Sequence, residues 1–448
     1  MNPKIALALS LATTLFSQDV KSTISEVLSS NPIVQERLKN YNATKEDITA
    51  AKAGYLPKLD LSVGVGKEDG ERAPNNIPFD YNVYQNSLTL TQNVFKGFET
   101  QSRVAQHENR TLAAAYNYIE KVNNLSFETL NAYVDLMKHQ ELLALQKENI
   151  GIHTEIFKKV QKLYDAGLTT LSEVNKIESA LALANANYVV QENTLLGVSH
   201  TMQKILGHTL DAQSMVKPAN DVLLPATVEE ATEIATKNNP SLLVSQYNIQ
   251  LAHATYEEKK SPLYPSLDLE LSQSYNKNLS GVEGRYENLR AMAYLRYNLF
   301  NGFADKAGMQ KSVSTIHQEM EIRNRLQREV IERLNLAWTA NEKLAQQLKY
   351  LNEHKKFSLQ TLTLYSKEYD LGRRSLLDLL SAQNDFMGAK TQIINSEYSL
   401  LFAKYRVLDA MGTLVTTIVQ ESDTIYSKVG LRGETPPNSD KLPISYNK

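Results

Sequence analysis

The chain has 448 residues with 48 Lys and Arg against 50 Asp and Glu, a formal net charge of −2, so no basic surface marks it for nucleic acid. Cysteine is absent, which excludes disulfides, thiolate metal sites and a lipid-bearing N-terminal cysteine. No proline occurs between Pro78 and Pro218 or between Pro265 and Pro436. An interior proline costs a helix roughly 3 kcal/mol, so such stretches point to long uninterrupted helices rather than a string of globular domains.

In chain order, Lys4 precedes an apolar run from Ile5 to Phe16 that ends in Ser17-Gln18-Asp19, the pattern of a secretory signal removed near Ser17. The run is shorter than the ~20 residues of a spanning helix, and no other stretch qualifies as one. An exported chain that still meets a membrane would therefore meet it with strands. Leu59, Leu61, Val63 and Val65 alternate with Asp60, Ser62, Gly64 and Gly66, the period-two pattern of a strand with unlike faces. Glu68 to Asp80 reads as a loop, and Tyr84, Leu88, Leu90 and Val94 form the returning strand. From Phe98 to Tyr164 only isolated glycines interrupt a helix of roughly 100 Å at 1.5 Å per residue. Gly167 is placed to stop it in the left-handed conformation, Thr170 to cap the next helix, and Glu173 to complete a capping box.

The same order then recurs. Asn31-Pro32 is echoed by Asn239-Pro240 and Tyr55-Leu56-Pro57 by Leu263-Tyr264-Pro265, at an offset of 208. From Asn93-Val94-Phe95-Lys96-Gly97-Phe98 and Asn298-Leu299-Phe300-Asn301-Gly302-Phe303 onward the offset is 205. It also relates Tyr164-Asp165-Ala166-Gly167 to Tyr369-Asp370-Leu371-Gly372 and Gly207 to Gly412. The change of register falls between Pro57 and Gly97, an insertion expected in a surface loop. In the second copy Leu267, Leu269 and Leu271, a polar loop around Asn278 to Glu283, and Leu289 to Leu299 form the strand pair. A long helix from Phe303 to Tyr369 carries Val330, Leu334, Ala337, Asn341, Leu344, Leu348 and Leu351 at coiled-coil steps of four and three. The organisation expected is a signal peptide at 1–17, a first repeat at 18–217, a second at 218–418 and a largely disordered tail at 419–448.

Tyr55, Phe79, Tyr81, Phe95, Tyr264, Tyr286 and Phe300 gather at strand ends, which suits an aromatic girdle at a membrane interface. Four strands with one apolar face cannot close a barrel, and an open edge in lipid leaves backbone groups unpaired. Two copies give eight strands and three give twelve, and only the larger number leaves an aqueous bore. No phosphate loop, nucleophile elbow or dinucleotide fingerprint occurs, and the eight histidines lack metal-ligand spacing and read as surface residues. No catalytic, cofactor or metal residue is assigned, and the chain is read as no enzyme.

The paired Asn-x-Phe-x-Gly-Phe segments, the two Tyr-Asp-x-Gly turns and the run Gly372-Arg373-Arg374-Ser375-Leu376-Leu377-Asp378-Leu379-Leu380 resemble the TolC family of outer-membrane efflux and secretion proteins, from about Asp19 to Ile418. The resemblance implies a mainly α fold with a membrane β-barrel. A homotrimer would join a twelve-stranded barrel, four strands per subunit, in the outer membrane of a Gram-negative cell to a long α-helical barrel in the periplasm. The implied function is a passive exit duct working with a periplasmic adaptor (membrane fusion) protein and an inner-membrane transporter. Gly281-Val282-Glu283-Gly284-Arg285, Leu295 to Gly302 and Arg374 to Asp378 are most similar to the type I secretion, agglutination-protein-like branch, whose cargo is adhesin-like and whose pump is an ABC transporter. The alternative is the same duct serving an RND-type multidrug or metal pump.

The resemblance also implies site residues. Ser172, Glu173, Tyr369 and Arg374 match a periplasmic gate, Tyr369 bonding Glu173 within a subunit and Arg374 reaching Ser172 and Glu173 of a neighbour. On the residues alone, Glu173 only caps a helix and Arg374 is a solvated charge. Asp378 matches one of two acidic constriction positions and Ser381 stands at the second, so cation preference should be weaker than in relatives, and Asp378 equally suits a cap. The adaptor is expected at the tips, near Asp165, Gly167 and Thr170 and near Asp370, Gly372 and Ser375.

Overall fold

In a computed structural model the described residues are 19–72, 74, 77–210, 215–218, 222–419 and 422–431. The signal peptide expected at 1–17 and the tail beyond Leu431 lie outside them. The first repeat contains α1 (Val20–Ser30), α2 (Pro32–Lys52), β1 (Lys58–Arg72), β2 (Ile77–Lys96), α3 (Glu99–Asp165) and α4 (Leu171–Leu206). The second contains α5 (Val228–Asn238), α6 (Pro240–Lys259), β3 (Ser266–Lys277), β4 (Arg285–Arg296), α7 (Ala304–Asp370) and α8 (Leu376–Met411), followed by α9 (Leu414–Ile418) and α10 (Ser422–Ser427). The duplication holds to the residue: α3 and α7 have 67 residues each, α4 and α8 have 36 each. No helix among the described residues is long and apolar enough to cross a membrane.

The chain divides into two units, each drawing on both repeats: residues through Glu36 with Ile119–Asn239 and the chain from Arg328, and Arg37–Tyr118 with Pro240–Gln327. In the first unit the helix corners explain the Asn-Pro pairs. Each proline opens a helix, where its missing N–H is no loss. Each asparagine side chain donates to a last-turn carbonyl: Asn31 to Ile205 O at 2.9 Å and Asn239 to Ala410 O at 3.1 Å. Both amides are buried, so the long helices α4 and α8 end on a satisfied acceptor. The linker between the repeats is pinned by the buried Tyr133, whose hydroxyl donates to Val216 O at 2.8 Å and accepts from Val216 N at 2.9 Å. Burial pushes that phenol up to about 12. Along α7, Val330, Leu334 and Ala337 are buried and Leu344, Leu348 and Leu351 half-buried, the stripe the heptads require. Trp338 on the neighbouring face is half-buried and donates its indole N–H to Glu342 at 3.0 Å.

Two expectations change here. His153 is buried, with Nδ1 2.9 Å from Asn149 O, so it is a packed helix residue rather than a surface one. Part of the expected tail is ordered: Ser422–Ser427 is helical, with Ile425 and Val429 buried.

The second unit carries one antiparallel sheet in the order β1-β2-β3-β4. The register places Leu59 opposite Leu90, Leu61 opposite Leu88 and Val65 opposite Tyr84. Leu90 faces Leu271, and Leu271 faces Ala291. One face is thus aliphatic and uncovered by the chain: Leu59, Leu61, Val63 and Val65 are 63–74% exposed. The other face carries Asp60, Ser62, Ser87, Thr89, Ser272 and Ser274. The stretch from Glu68 to Asp80 is not a loop. β1 and β2 stay paired out to Arg72 opposite Ile77, so the three-residue insertion lies within a longer hairpin. Alternation of polar and apolar residues stops there, and the backbone ladder needs no apolar partner.

The Asn-x-Phe-x-Gly-Phe segments are the strand-to-helix junctions. Gly97 and Phe98 have φ of 58° and 64°, and Gly302 and Phe303 have 54° and 63°. Two successive left-handed residues turn the chain sharply. At Gly97 the close approach also requires glycine, since a Cβ there would lie 2.3 Å from Ser261 O, whereas one on Gly302 would meet nothing within 4 Å. Phe98 stacks edge-on against both Phe95 and Tyr264, at 5.2 and 5.7 Å between ring centroids, and these contacts offset the strain of a non-glycine residue in that region.

Candidate functional site

Each long hairpin ends in the same backbone device. At the first tip Gly167 has φ 71°, its N–H meets Tyr164 O at 2.8 Å, and Leu168 N–H meets Leu163 O at 2.8 Å. At the second Gly372 has φ 69°, its N–H meets Tyr369 O at 2.9 Å, and Arg373 N–H meets Glu368 O at 2.9 Å. Both are Schellman turns, which place the Tyr-Asp-x-Gly motif at a helix end for a stated reason: glycine alone takes the left-handed position without strain.

The caps that follow differ. Ser375 accepts from Asp378 N at 3.1 Å and donates its hydroxyl to Asp378 Oδ2 at 2.8 Å, so Asp378 is engaged in the cap while Ser381 is exposed. Thr170 occupies the cap of α4 but makes no side-chain cap bond. The Glu173 carboxylate instead accepts from the Thr169 hydroxyl at 2.5 Å, so the expected Thr170–Glu173 capping box does not form. One residue of choice between two adjacent threonines decides the partner, which composition does not distinguish.

Tyr369 packs against Val160, Val174, Ile177, Leu376 and Leu380. Its hydroxyl is buried with no hydrogen-bond partner, and the phenol is held above its ordinary pKa by burial first and by the charges of Glu173 and Asp370 second. The intrasubunit Tyr369–Glu173 bond is therefore not made in this chain; Glu173 is close enough to act on the phenol through its charge, but its bond goes to Thr169. Arg374 is occupied within its own hairpin. Its Nε and one terminal nitrogen each lie 2.8 Å from Glu368 Oε2, and the guanidinium carbon sits 4.1 Å from the Tyr365 ring centroid. Ser172 is exposed on the first turn of α4.

Sequence reasoning missed a pair that joins the two hairpins at their tips. Lys159 on α3 forms a salt bridge with Asp370 on α7 and lies 5.7 Å from the Tyr369 ring centroid. Asp165, which stands where Asp370 stands in the other repeat, is bonded locally by Gln161 at 2.8 Å. Nothing local in the sequence marks Lys159, because its partner is 211 residues away. The tip is thus a small apolar cluster rimmed by exposed or half-exposed ion pairs worth roughly 0–1 kcal/mol each. Such contacts can hold one arrangement and be overcome by modest binding energy. Among the described residues no group of acidic or histidine side chains is placed to hold a metal.

Residues 23–208 and 232–413 match the family described as outer membrane efflux protein, and the chain belongs to that family. It is similar to the outer membrane efflux protein BepC of Brucella suis biovar 1 (strain 1330), at 22% identity over 370 residues covering 82% of this chain and 80% of that protein. It is similar as well to the proteases secretion protein PrtF of Dickeya chrysanthemi, at 21% identity over 386 residues covering 83% of each. Among solved structures, the CmeC outer membrane channel of Campylobacter jejuni aligns with a TM-score of 0.80 at 14% identity, covering 92% of this chain and 89% of that one. The fold is the α-barrel plus β-barrel of these channels, and the protein is an outer-membrane channel component, in a family of transport ducts rather than enzymes.

Proposed function

We propose that three copies of this chain form the exit duct of a type I secretion system, with an adhesin-like protein as cargo, a periplasmic adaptor at the hairpin tips and an inner-membrane ABC transporter as the source of energy. The observation that carries the duct is the sheet: four antiparallel strands, one uncovered aliphatic face and one polar face, with β1 and β4 as open edges. Copies that pair β4 of one with β1 of the next remove those edges, turn the aliphatic face to lipid and leave the polar face around water. Similarity to a proteases secretion protein supports protein cargo. Similarity to an outer membrane efflux protein supports the second reading, a duct for an RND-type pump. A deletion strain separates them: loss of a surface protein with unchanged drug sensitivity is expected, and drug or metal hypersensitivity with intact secretion contradicts it.

The proposed periplasmic gate is the tip cluster, Ser172, Glu173, Tyr369 and Arg374, with the constriction set by Asp378 and Ser381. The adaptor is proposed to dock beside Asp165, Gly167, Thr170, Asp370, Gly372 and Ser375. Support comes from the weakness of the contacts there: a ligand shifts such a gate by its differential affinity for the open state. In planar bilayers Arg374→Ala is expected to raise single-channel conductance, and an unchanged conductance contradicts the gate assignment.

A further inference from the structure

The turn between β3 and β4 does not stand clear of the sheet. Asn278 and Ser280 take φ of 57° and 56°, Gly281 takes 70°, and these left-handed residues fold a short helical turn, Leu279–Gly281, back over the first hairpin. Three contacts hold it down. Ser280 N–H donates to Glu68 Oε2 at 3.0 Å, and the Asn278 side chain donates to Asn82 O at 3.0 Å while its own oxygen accepts from Gly284 N at 3.0 Å. Gly281 is buried against the Phe79 ring, so closely that a Cβ there would lie 2.6 Å from Phe79 Cε1.

The face to which the turn is pinned is fixed by strand parity. Glu68 faces Tyr81, and Gly70 faces Phe79. These four share a side with Asp60, Ser62, Ser87 and Thr89, opposite the side of Leu59, Leu61, Val63, Val65, Leu88 and Leu90. The contact therefore lies on the polar face of the sheet, beyond the aliphatic band, at the end of the strands remote from the helices. Phe79 and Tyr81, stacked at 5.8 Å between ring centroids, do not face lipid as a girdle would; they form the floor under the turn.

We propose that Leu279–Gly281 is an inward-folded lid that narrows the outer mouth of the channel, a second size-determining constriction in series with the periplasmic end. Glu68 and Phe79 are its latch, and cargo displaces it on the way out. The lid rests on the barrel reading above: on the closed barrel the polar face is the bore, and each subunit contributes one lid. Few contacts of this kind, one exposed charge-assisted hydrogen bond and one glycine-aromatic packing, hold a segment without committing it.

The test uses the intact channel in whole cells, with its cysteine-free background. A Ser274→Cys reporter stands on the polar face at mid-height, opposite Ser87, and Leu271→Cys on the aliphatic face is its control. Both are treated from outside with membrane-impermeant maleimides, first a small reagent and then polyethylene-glycol maleimides of rising size. Labelling of Ser274→Cys but not Leu271→Cys by the small reagent is expected. The reverse pattern overturns the barrel reading and the lid together. With that pattern in place, Gly281→Val, which forces the turn off the Phe79 ring, and a separate variant with residues 279–282 replaced by a two-residue turn should each admit larger reagents. Each should label about tenfold faster with the largest reagent that wild type admits, the rate change that removal of ~1.4 kcal/mol of barrier gives. Unchanged size limits and rates in both variants, at wild-type levels of assembled protein, overturn the lid while leaving the barrel intact.

Discussion

At the first hairpin tip Asp165 is bonded to Gln161 of its own helix, whereas at the second Asp370 is bonded to Lys159 of the other hairpin, although the turns that present them have matching hydrogen bonds within 0.1 Å. The same contrast recurs at the far ends of the hairpins. Asn31 and Asn239 dock the α4 and α8 carbonyls alike, while Asp409 near the end of α8 is half-buried and its counterpart one repeat earlier, Lys204, is exposed. Duplication has kept the residues that set backbone direction and let the charges diverge. Backbone devices are needed twice because each copy must turn the chain the same way; charges are needed once, where an asymmetric contact does something the other copy does not.

The largest expected effect tests the divergent half of this comparison. Burial raises the Asp409 carboxyl to about 6, against the partial relief of Arg333, the Asn123 amide at 2.7 Å and Arg406. Below about pH 4 the group is protonated in both folded and unfolded chains. Between about pH 4 and 6 the unfolded chain ionises first, so stability falls as pH rises, by roughly 2–3 kcal/mol in all. Asp409→Asn keeps the acceptor for Asn123 and should flatten that part of the stability profile and stabilise the protein above pH 6. A denaturation series across pH 4 to 7 that is superimposable for wild type and variant contradicts the assignment.

The shared half is tested by Asn31→Ala and Asn239→Ala. Each strands a buried carbonyl, so each should cost roughly 1–3 kcal/mol, and the two costs should agree to within about 0.5 kcal/mol. Denaturant midpoints that differ widely would show that the corners are not equivalent. The smallest effect sharpens the contrast at the tips. Lys159→Met and Asp370→Asn each remove a half-exposed pair and should change stability by less than about 1 kcal/mol, with no further loss in the double variant. Asp165→Asn should leave channel conductance unchanged while either of the other two raises it; equal effects from Asp165 and Asp370 would erase the asymmetry.

Much of this was legible in the chain. Glycines with a left-handed φ, the Asn-Pro corners, the heptads from Val330 to Leu351 and the alternation of Leu59 to Val65 are local signals, and the elements they mark fall where expected. The strand extension to Arg72 was not legible, because ladder hydrogen bonds in water leave no apolar pattern. Nor were Lys159 with Asp370, or Glu68 with Ser280, whose partners are 211 and 212 residues distant and are brought together only by register. Tyr369 and Arg374 were expected as gate positions from the resemblance, but their contacts depend on which neighbouring side chain wins: Thr169 takes Glu173, and Glu368 takes Arg374.

The central claim is that one chain's sheet is incomplete and that further copies finish the wall. Its most direct test is the native mass of protein extracted from outer membranes in mild detergent, measured with and without prior crosslinking. The account predicts a particle of three chains that requires detergent to stay in solution. A single chain, stable in buffer without detergent, would contradict it.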